Sequence, residues 1–444
     1  MTESEAMEYV EELGRAGITP GLERIRELLR RMGNPQDRLR FVHIAGTNGK
    51  GSTLAYVSTV LGCAGYRVGR FLSPTIRTYR ERIQVGRQPI TKAALCEGLE
   101  LIREHIRAMQ AEGLGSPSLF EAETALGFWY FLQKGCDIVV LECGMGGEQD
   151  ATNVVETAVV NVLASITMDH MAFLGDTPAA IAEQKAGIFR RGVPVVTASQ
   201  LPEVMEVIRR RAEELDAPVH VADAAETKHV KYGLAKQTFD YKGYKKLEIT
   251  LAGSYQIDNA VLAVEVIEAL REEFKISEQA LRKGLRETQW PGRFTVLEKK
   301  PVFIADGAHN EDAARRLAES LDFYFTNKRI LFIMGILKDK EYRKIIEITA
   351  PYAAQIFTIR TPGNPRAMDA LELAREVREV NPNVTAADSV EEAIELTHLM
   401  AAPEDVIVAF GSLSFLGSVL DYFEKKDSGK AHFGKKASGN PRTK

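Results

Sequence analysis

Residues 46–52 read Gly46-Thr47-Asn48-Gly49-Lys50-Gly51-Ser52, and three glycines, a lysine and a hydroxyl at this spacing suit the binding of phosphates. Glycine lets a turn tighten until successive backbone N–H groups aim at one point, where the positive end of a following helix, roughly half an elementary charge, also falls. Lys50 adds a point charge for the outer phosphates, and the hydroxyl of Ser52 or Thr53 is placed to hold Mg2+. The pattern G-x-x-G-K-G-S is shorter than the common G-x-x-x-x-G-K-[ST], so residue chemistry, more than the generic motif, marks the loop.

Other candidates stand where apolar runs end. Residues 137–142, Asp-Ile-Val-Val-Leu-Glu, form a nearly continuous apolar run closing on Glu142, which is how a buried parallel strand delivers a carboxylate to a site. Glu142 suits a Mg2+ shared with Ser52. Ser73-Pro74 falls just past another strand, and Asp169-His170 follows a third. Lys185 alone reads as a solvated lysine, and an ammonium of pKa ~10.4 cannot ligate a cation at neutral pH. Asp306-Gly307-Ala308-His309-Asn310 ends a later strand, placed either to contact ribose or base or to cap a turn. Arg293 offers a planar fork of donors to phosphate oxygens, or else sits solvated in a linker.

Positioning these residues needs strands alternating with helices. Residues 41–45 read as a strand entering the loop, with the loop helix beginning near Ser52. Two helices are expected over 3–32, strands at 66–72, 137–142, 157–163, 193–197 and 218–222, and helices at 91–112, 119–134, 176–188, 202–215 and 256–272. The stretch 228–251 is charged and β-leaning. The rhythm restarts past Trp290-Pro291-Gly292-Arg293, with strands at 302–306, 330–334, 355–359 and 405–410 and helices at 310–321, 340–350, 367–380 and 389–401. This predicts a P-loop-containing doubly wound domain over 1–297, a smaller Rossmann-like α/β domain over 298–424, and a basic disordered tail over 425–444.

Length and composition agree with a globular chain of 444 residues, enough for two or three domains of roughly 150 residues. No apolar run approaches the ~20 residues that span a bilayer. The acidic, helical N-terminus is unlike a signal peptide, so a cytoplasmic protein without membrane partners is expected. Cys63, Cys96, Cys136 and Cys143 show no C-x-x-C spacing, which argues for reduced thiols and against a zinc site. Net charge is −4, while 425–444 holds seven Lys/Arg against one Asp. That tail is expected to be solvated, with no nucleic-acid partner, and the protein to be a monomer.

Taken in order, these pieces resemble the folylpolyglutamate synthase and dihydrofolate synthase family, a branch of the Mur-type ATP-dependent amide ligases. The resemblance rests on Pro20-Gly21-Leu22-Glu23-Arg24-Ile25, the 46–52 loop, Ser73-Pro74 with Glu81-Arg82-Ile83, and Phe120-Glu121-Ala122-Glu123-Thr124. It continues through Asp150-Ala151-Thr152-Asn153, Asp169-His170, Phe173-Leu174-Gly175-Asp176-Thr177, Lys185-Ala186-Gly187-Ile188, Gln256 with Asn259-Ala260, Trp290-Pro291-Gly292-Arg293, 306–310 and Gly411-Ser412-Leu413. It implies a two-domain ligase that adds L-glutamate to a folate-type carboxylate through an acyl phosphate, and it leaves open whether the chain also converts dihydropteroate to dihydrofolate. It implies two Mg2+ ions, one served by Ser52, Ser73 and Glu142, the other by His170 and a carbamylated Lys185. It further implies nucleotide contacts from Asn259, Arg293, Asp306 and His309, brought together by closure over ATP. Two positions depart from the family pattern: Thr75 stands where His is usual after Ser-Pro, and Glu148 where Arg is usual. They motivate one alternative, a ligase of the same scaffold for another carboxylic acid; a second alternative, of another class, is an ATP-binding relative without turnover whose basic tail docks a partner.

Overall fold

A computed structural model describes residues 1–15, 17, 21–168 and 171–436. The chain divides into two compact units, Met1–Leu251 with Tyr255–Trp290, and Ala252–Ser254 with Pro291–Lys444. No helix among the described residues is long and apolar enough to cross a membrane.

The first unit is built on an eight-stranded sheet. Six strands run parallel in the order Val68–Phe71, Ile138–Glu142, Phe41–Ala45, Ala158–Leu163, Val195–Ala198, Val219–Ala222. The hairpin Ile83–Val85 and Gln88–Pro89, absent from the sequence reading, extends one edge antiparallel. Side chains alternate across the sheet as the pleat requires. Val42 and Ile44 enter a core with the loop helix Lys50–Cys63 and helices Gln256–Leu270 and Glu278–Glu287, whereas Phe41 and Ala45 enter cores on the opposite face. The β-leaning 228–251 stretch resolves into a separate three-stranded antiparallel sheet.

Helix Glu278–Glu287 escapes the sequence reading because only Ala280, Leu281, Gly284 and Leu285 on it are buried and the rest is charged or, at Gln279, polar. Its packing depends on Gly284, where an added Cβ would fall onto the Val60 backbone of the loop helix.

The second unit carries a six-stranded sheet in the order Thr295–Lys299, Val302–Ala305, Val406–Phe410, Ile330–Met334, Gln355–Thr358, Val384–Ala386, parallel except for the first pair. Thr295–Lys299 is half-exposed and pairs with Val302–Ala305. That pairing puts the division between units at 290–291 and not at 297. The last helix, Leu413–Lys436, also runs beyond 424, where the tail was expected to begin. Phe423 is buried, and the Lys426 ammonium lies 3.0 Å from the Glu298 carboxylate, so contact with its own unit reaches Lys426, two residues past 424. Residues 437–444 lie outside the described residues.

Gly284→Ala separates packing from propensity. Helix propensity favours Ala by about 1 kcal/mol, while overpacking a filled interface costs about 1–3 kcal/mol. The expected outcome is a lower urea midpoint; an unchanged or higher one places the helix elsewhere.

Candidate active site

The central strand Phe41–Ala45 lies between Ile138–Glu142 and Ala158–Leu163, with Ile44 opposite Glu142 and Ala45 opposite Leu163. The 46–52 loop, Glu142 and residues 164–167 therefore leave the sheet at one edge, on either side of the strand where the connections change direction. The loop is pinned to its neighbour. Thr47 and Asn48 both donate backbone N–H to the Ser165 carbonyl, at 2.7 and 3.2 Å, and the Thr47 hydroxyl donates to the Thr167 carbonyl at 3.0 Å. Gly46 and Gly49 adopt φ of 149° and 89°, in the region that favours glycine. A Cβ would fall 2.8 Å from Ala164 Cβ at Gly46, 2.5 Å from Asn259 Oδ1 at Gly49, and 2.7 Å from the Trp290 ring at Gly51. The loop helix starts at Lys50 with no side-chain cap on Gly49, which leaves its first amides for an anion.

Charge gathers at the Gly46 carbonyl. Lys50 Nζ donates to it at 3.0 Å and to the Thr47 carbonyl at 3.2 Å, and stands 4.0 Å from Glu142 Oε1. Lys185 Nζ donates to the same Gly46 oxygen at 2.9 Å. Lys185 is only 4% exposed, so its reading as a solvated lysine is corrected. Its helix, Pro178–Ala186, is pressed on by the turn after Glu142: a Cβ on Gly147 would meet the carbonyls of Gln184 and Lys185 at 2.6 and 2.8 Å, and Glu148 donates its N–H to Gln184 O.

Ser52, 2% exposed, accepts a 3.3 Å hydrogen bond from Gln256 Nε2, and the Gln256 carbonyl oxygen accepts in turn from Asn259 Nδ2 at 3.2 Å. Asn259 thus orders the loop from the helix behind it. Ser73 leaves the sheet beside Glu142, two residues past Phe71, which is in register with Leu141. His170 lies outside the described residues. Ser52, Ser73 and Glu142 supply the hard oxygens Mg2+ prefers, so this part fits one such ion. Lys185 as an amine donates and does not ligate. Among the described residues no three His, Cys, Asp or Glu cluster as a metal site.

Sequence reasoning missed the support beneath this edge. His43, fully buried in the middle of the central strand, has Nε2 2.9 Å from Thr152 Oγ1 and 3.1 Å from Cys143 Sγ. Burial, with Arg190 nearby, lowers its pKa to about 3, and burial raises the Cys143 thiol and the Asp150 carboxyl. The one available signal was a polar residue interrupting an apolar strand.

In the second unit, Asp306 Oδ2 accepts from the Phe294 N–H and Oδ1 from the Ala308 N–H, both at 2.8 Å. Its carboxylate ties the 292–295 turn to the end of strand Val302–Ala305. Arg293 lies against Gly307, where an added Cβ would strike its guanidinium. The two are neighbours, with His309 Nδ1 2.7 Å from the Gly307 carbonyl.

Gly46→Ala would be forced both by its φ and by the Ala164 backbone, 3.1 Å from the added Cβ. Binding of a fluorescent ATP analogue is expected to weaken at least about tenfold, the loss of roughly one charge-assisted hydrogen bond, with the circular dichroism spectrum kept.

Residues 114–267 match the Mur ligase middle domain and residues 292–413 the Mur ligase glutamate ligase domain. A dihydrofolate synthase/folylpolyglutamate synthase of Bacillus subtilis is 36% identical over 411 residues, covering 91% of this chain and 95% of its own. A folylpolyglutamate synthase of Lacticaseibacillus casei is 34% identical over 430 residues, covering 94% and 98%. The crystal structure of Mycobacterium tuberculosis folylpolyglutamate synthase with ADP and AMPPCP aligns with a TM-score of 0.87 at 31% identity, over 95% of this chain and 99% of that one. With two α/β units, a phosphate loop built as the motif requires and this likeness along nearly its whole length, the chain belongs to the folylpolyglutamate synthase/dihydrofolate synthase family of Mur-type ATP-dependent ligases.

Proposed function

We propose that the chain joins L-glutamate to a folate-type carboxylate while ATP is converted to ADP and phosphate, and that dihydropteroate is a second acceptor. The observation that carries this reading is the convergence of Lys50, Lys185 and Glu142 on the mouth of the phosphate loop. A carboxylate is a poor acyl donor, because its leaving group would be oxide. Phosphorylation cures that: a carboxylate oxygen attacks the γ-phosphorus, the bond to ADP breaks, and an acyl phosphate forms. The glutamate nitrogen then attacks the acyl carbon, phosphate departs with the bonding pair, and the nitrogen gives its proton to solvent.

The residues answer the electrostatic problem of bringing one anion to another. Loop amides of 46–52 and Lys50 hold the phosphates and spread their charge. Ser52, Ser73 and Glu142 would hold Mg2+, which supplies further charge neutralisation when bound. We assign Lys185 a carbamate formed with CO2, which turns a buried donor into an anionic ligand that, with His170, would serve a second Mg2+. Asn259, Arg293, Asp306 and His309 are proposed for the nucleotide, Asn259 and Asp306 by ordering loops around it. Use of ATP and four free thiols fit a cytoplasmic enzyme. A second reading, another carboxylic acid on the same scaffold, is favoured by one feature: Glu148 is exposed beside the Lys185 helix and carries negative charge.

Purified protein with ATP and Mg2+ is expected to release phosphate only when glutamate and a folate acid are both present. Phosphate release with another acid and none with a folate panel decides for the second reading. Incubation with 13C-bicarbonate is expected to give a carbamate carbon resonance that Lys185→Ala removes together with turnover; full activity in that variant excludes the carbamate.

A further inference from the structure

A chain of hydrogen bonds with a fixed direction runs beneath the site. Asp150 Oδ2 accepts the Met145 N–H at 2.8 Å, and Oδ1 accepts the Thr152 N–H at 3.0 Å and the Thr152 hydroxyl at 2.5 Å. A threonine hydroxyl has one hydrogen, and here the carboxylate takes it. Cys143 Sγ lies 3.4 Å from the same hydroxyl, but the 2.5 Å contact with Asp150 claims its hydrogen, so toward His43 Nε2, 2.9 Å away, the Thr152 oxygen accepts and the ring nitrogen donates. Cys143 Sγ, 3.1 Å from the same nitrogen, shares that side of the ring. All four groups are buried, between 0 and 6% exposed. Asn161, also fully buried, stands beside His43 in register on the next strand, so a polar line crosses an otherwise apolar layer.

What the line supports is the turn that follows Glu142. Cys143 and Met145 are two of its bonded points, so His43 and Asp150, together with the Ile44 carbonyl that takes the Cys143 N–H, hold the chain as it leaves Glu142. The same 143–153 segment grips the Lys185 helix: Glu148 N–H reaches Gln184 O, and Asn153 Nδ2 donates to the carbonyls of Glu148 and Gly187 at 3.0 and 3.1 Å. Three residues after His43, just past the end of the same strand, comes Gly46, whose oxygen receives both lysines. A side chain that packing alone would fill with Leu or Phe therefore adds a side-chain link, beside the backbone ladder, between the central strand and the 143–153 segment that follows Glu142 and braces Lys185.

We propose that His43 is a positioning residue of the ligase site, acting through Thr152 and Asp150 to hold Glu142 and Lys185 in place for the divalent cation. The proposal rests on the reading that these residues serve the cation. His43→Leu fills similar space and removes the donor. With the full chain and a non-hydrolysable ATP analogue, Mn2+ is titrated and free Mn2+ read by electron paramagnetic resonance. Binding is expected to weaken about tenfold, as for loss of an outer-shell partner, while amide hydrogen exchange at Met145 and Thr152 quickens. His43→Gln, whose terminal N–H can reach the Nε2 position, is expected to regain most of both.

A folded His43→Leu variant with wild-type Mn2+ affinity and wild-type protection overturns the proposal. So does an equal loss in the Leu and Gln variants, which marks a packing role only. If His43→Leu does not fold, Thr152→Val cuts the same link at constant shape, and the same two readouts decide in the same way. Neither readout uses folate or glutamate: a wild-type chain that binds Mn2+ with nucleotide yet turns over no folate sinks the substrate assignment alone, and one that binds no Mn2+ sinks both.

Discussion

Two ammonium groups share one carbonyl oxygen, and the rest of the first unit's site is arranged around that fact. Lys50 and Lys185 each bond to Gly46 O, which puts their nitrogens within about 6 Å of each other. At an effective dielectric near 20, two like charges at that distance repel by about 3 kcal/mol. Glu142 offsets part of this from 4.0 Å on the Lys50 side. The arrangement suits a site awaiting a polyanion, because phosphates turn the repulsion into binding energy. It also suits the carbamate proposed at Lys185, which replaces one of the two positive charges by a negative one and leaves Lys50 with a partner.

Such crowding has to be held by something stiffer than the charges themselves. The holding is done by backbone: Ser165 O takes two loop amides, and the Gly147 and Gly187 turns approach their neighbours too closely for any side chain. Glycine is costly in a chain that must order. Here it permits contacts between main chains, whose positions do not vary with rotamer. The strand order places this backbone where connections diverge to the two sides of the Phe41–Ala45 strand, so loops from three adjacent parallel strands meet without crossing.

The sequence made the tight glycine turn at 46–52 legible because glycine acts through local geometry, and the place of Glu142 at the sheet edge because an acid closing an apolar run marks the end of a buried strand. Lys185 was illegible from its residues. Its helix, Pro-Ala-Ala-Ile-Ala-Glu-Gln-Lys-Ala, has no strong apolar stripe, and its burial comes from a turn some forty residues earlier in the chain. Asp306 was half legible: position at a strand end was read correctly, but both oxygens are met by backbone amides, which only the fold of 292–308 could reveal. The missed strand Thr295–Lys299 and hairpin Ile83–Val85 are edge elements with partly exposed residues, where periodicity fades.

The two departures from the family pattern sit where this logic expects freedom. At 148 the fold uses the backbone: the N–H bonds to Gln184, the carbonyl accepts from Asn153, and Cβ rests over Gly187, while the carboxylate is exposed. Neighbouring Asp150, Thr152 and Asn153 are buried and bonded, so they are bound to the fold. Thr75 likewise is partly exposed, just ahead of the Ile76, Arg77 and Thr78 amides that Glu81 gathers. A charge reversal at 148 thus leaves the loop's bonds intact and changes only the charge exposed beside the Lys185 helix. Variation is cheapest at positions whose main chain is committed and whose side chain is not, and position 148 meets both conditions.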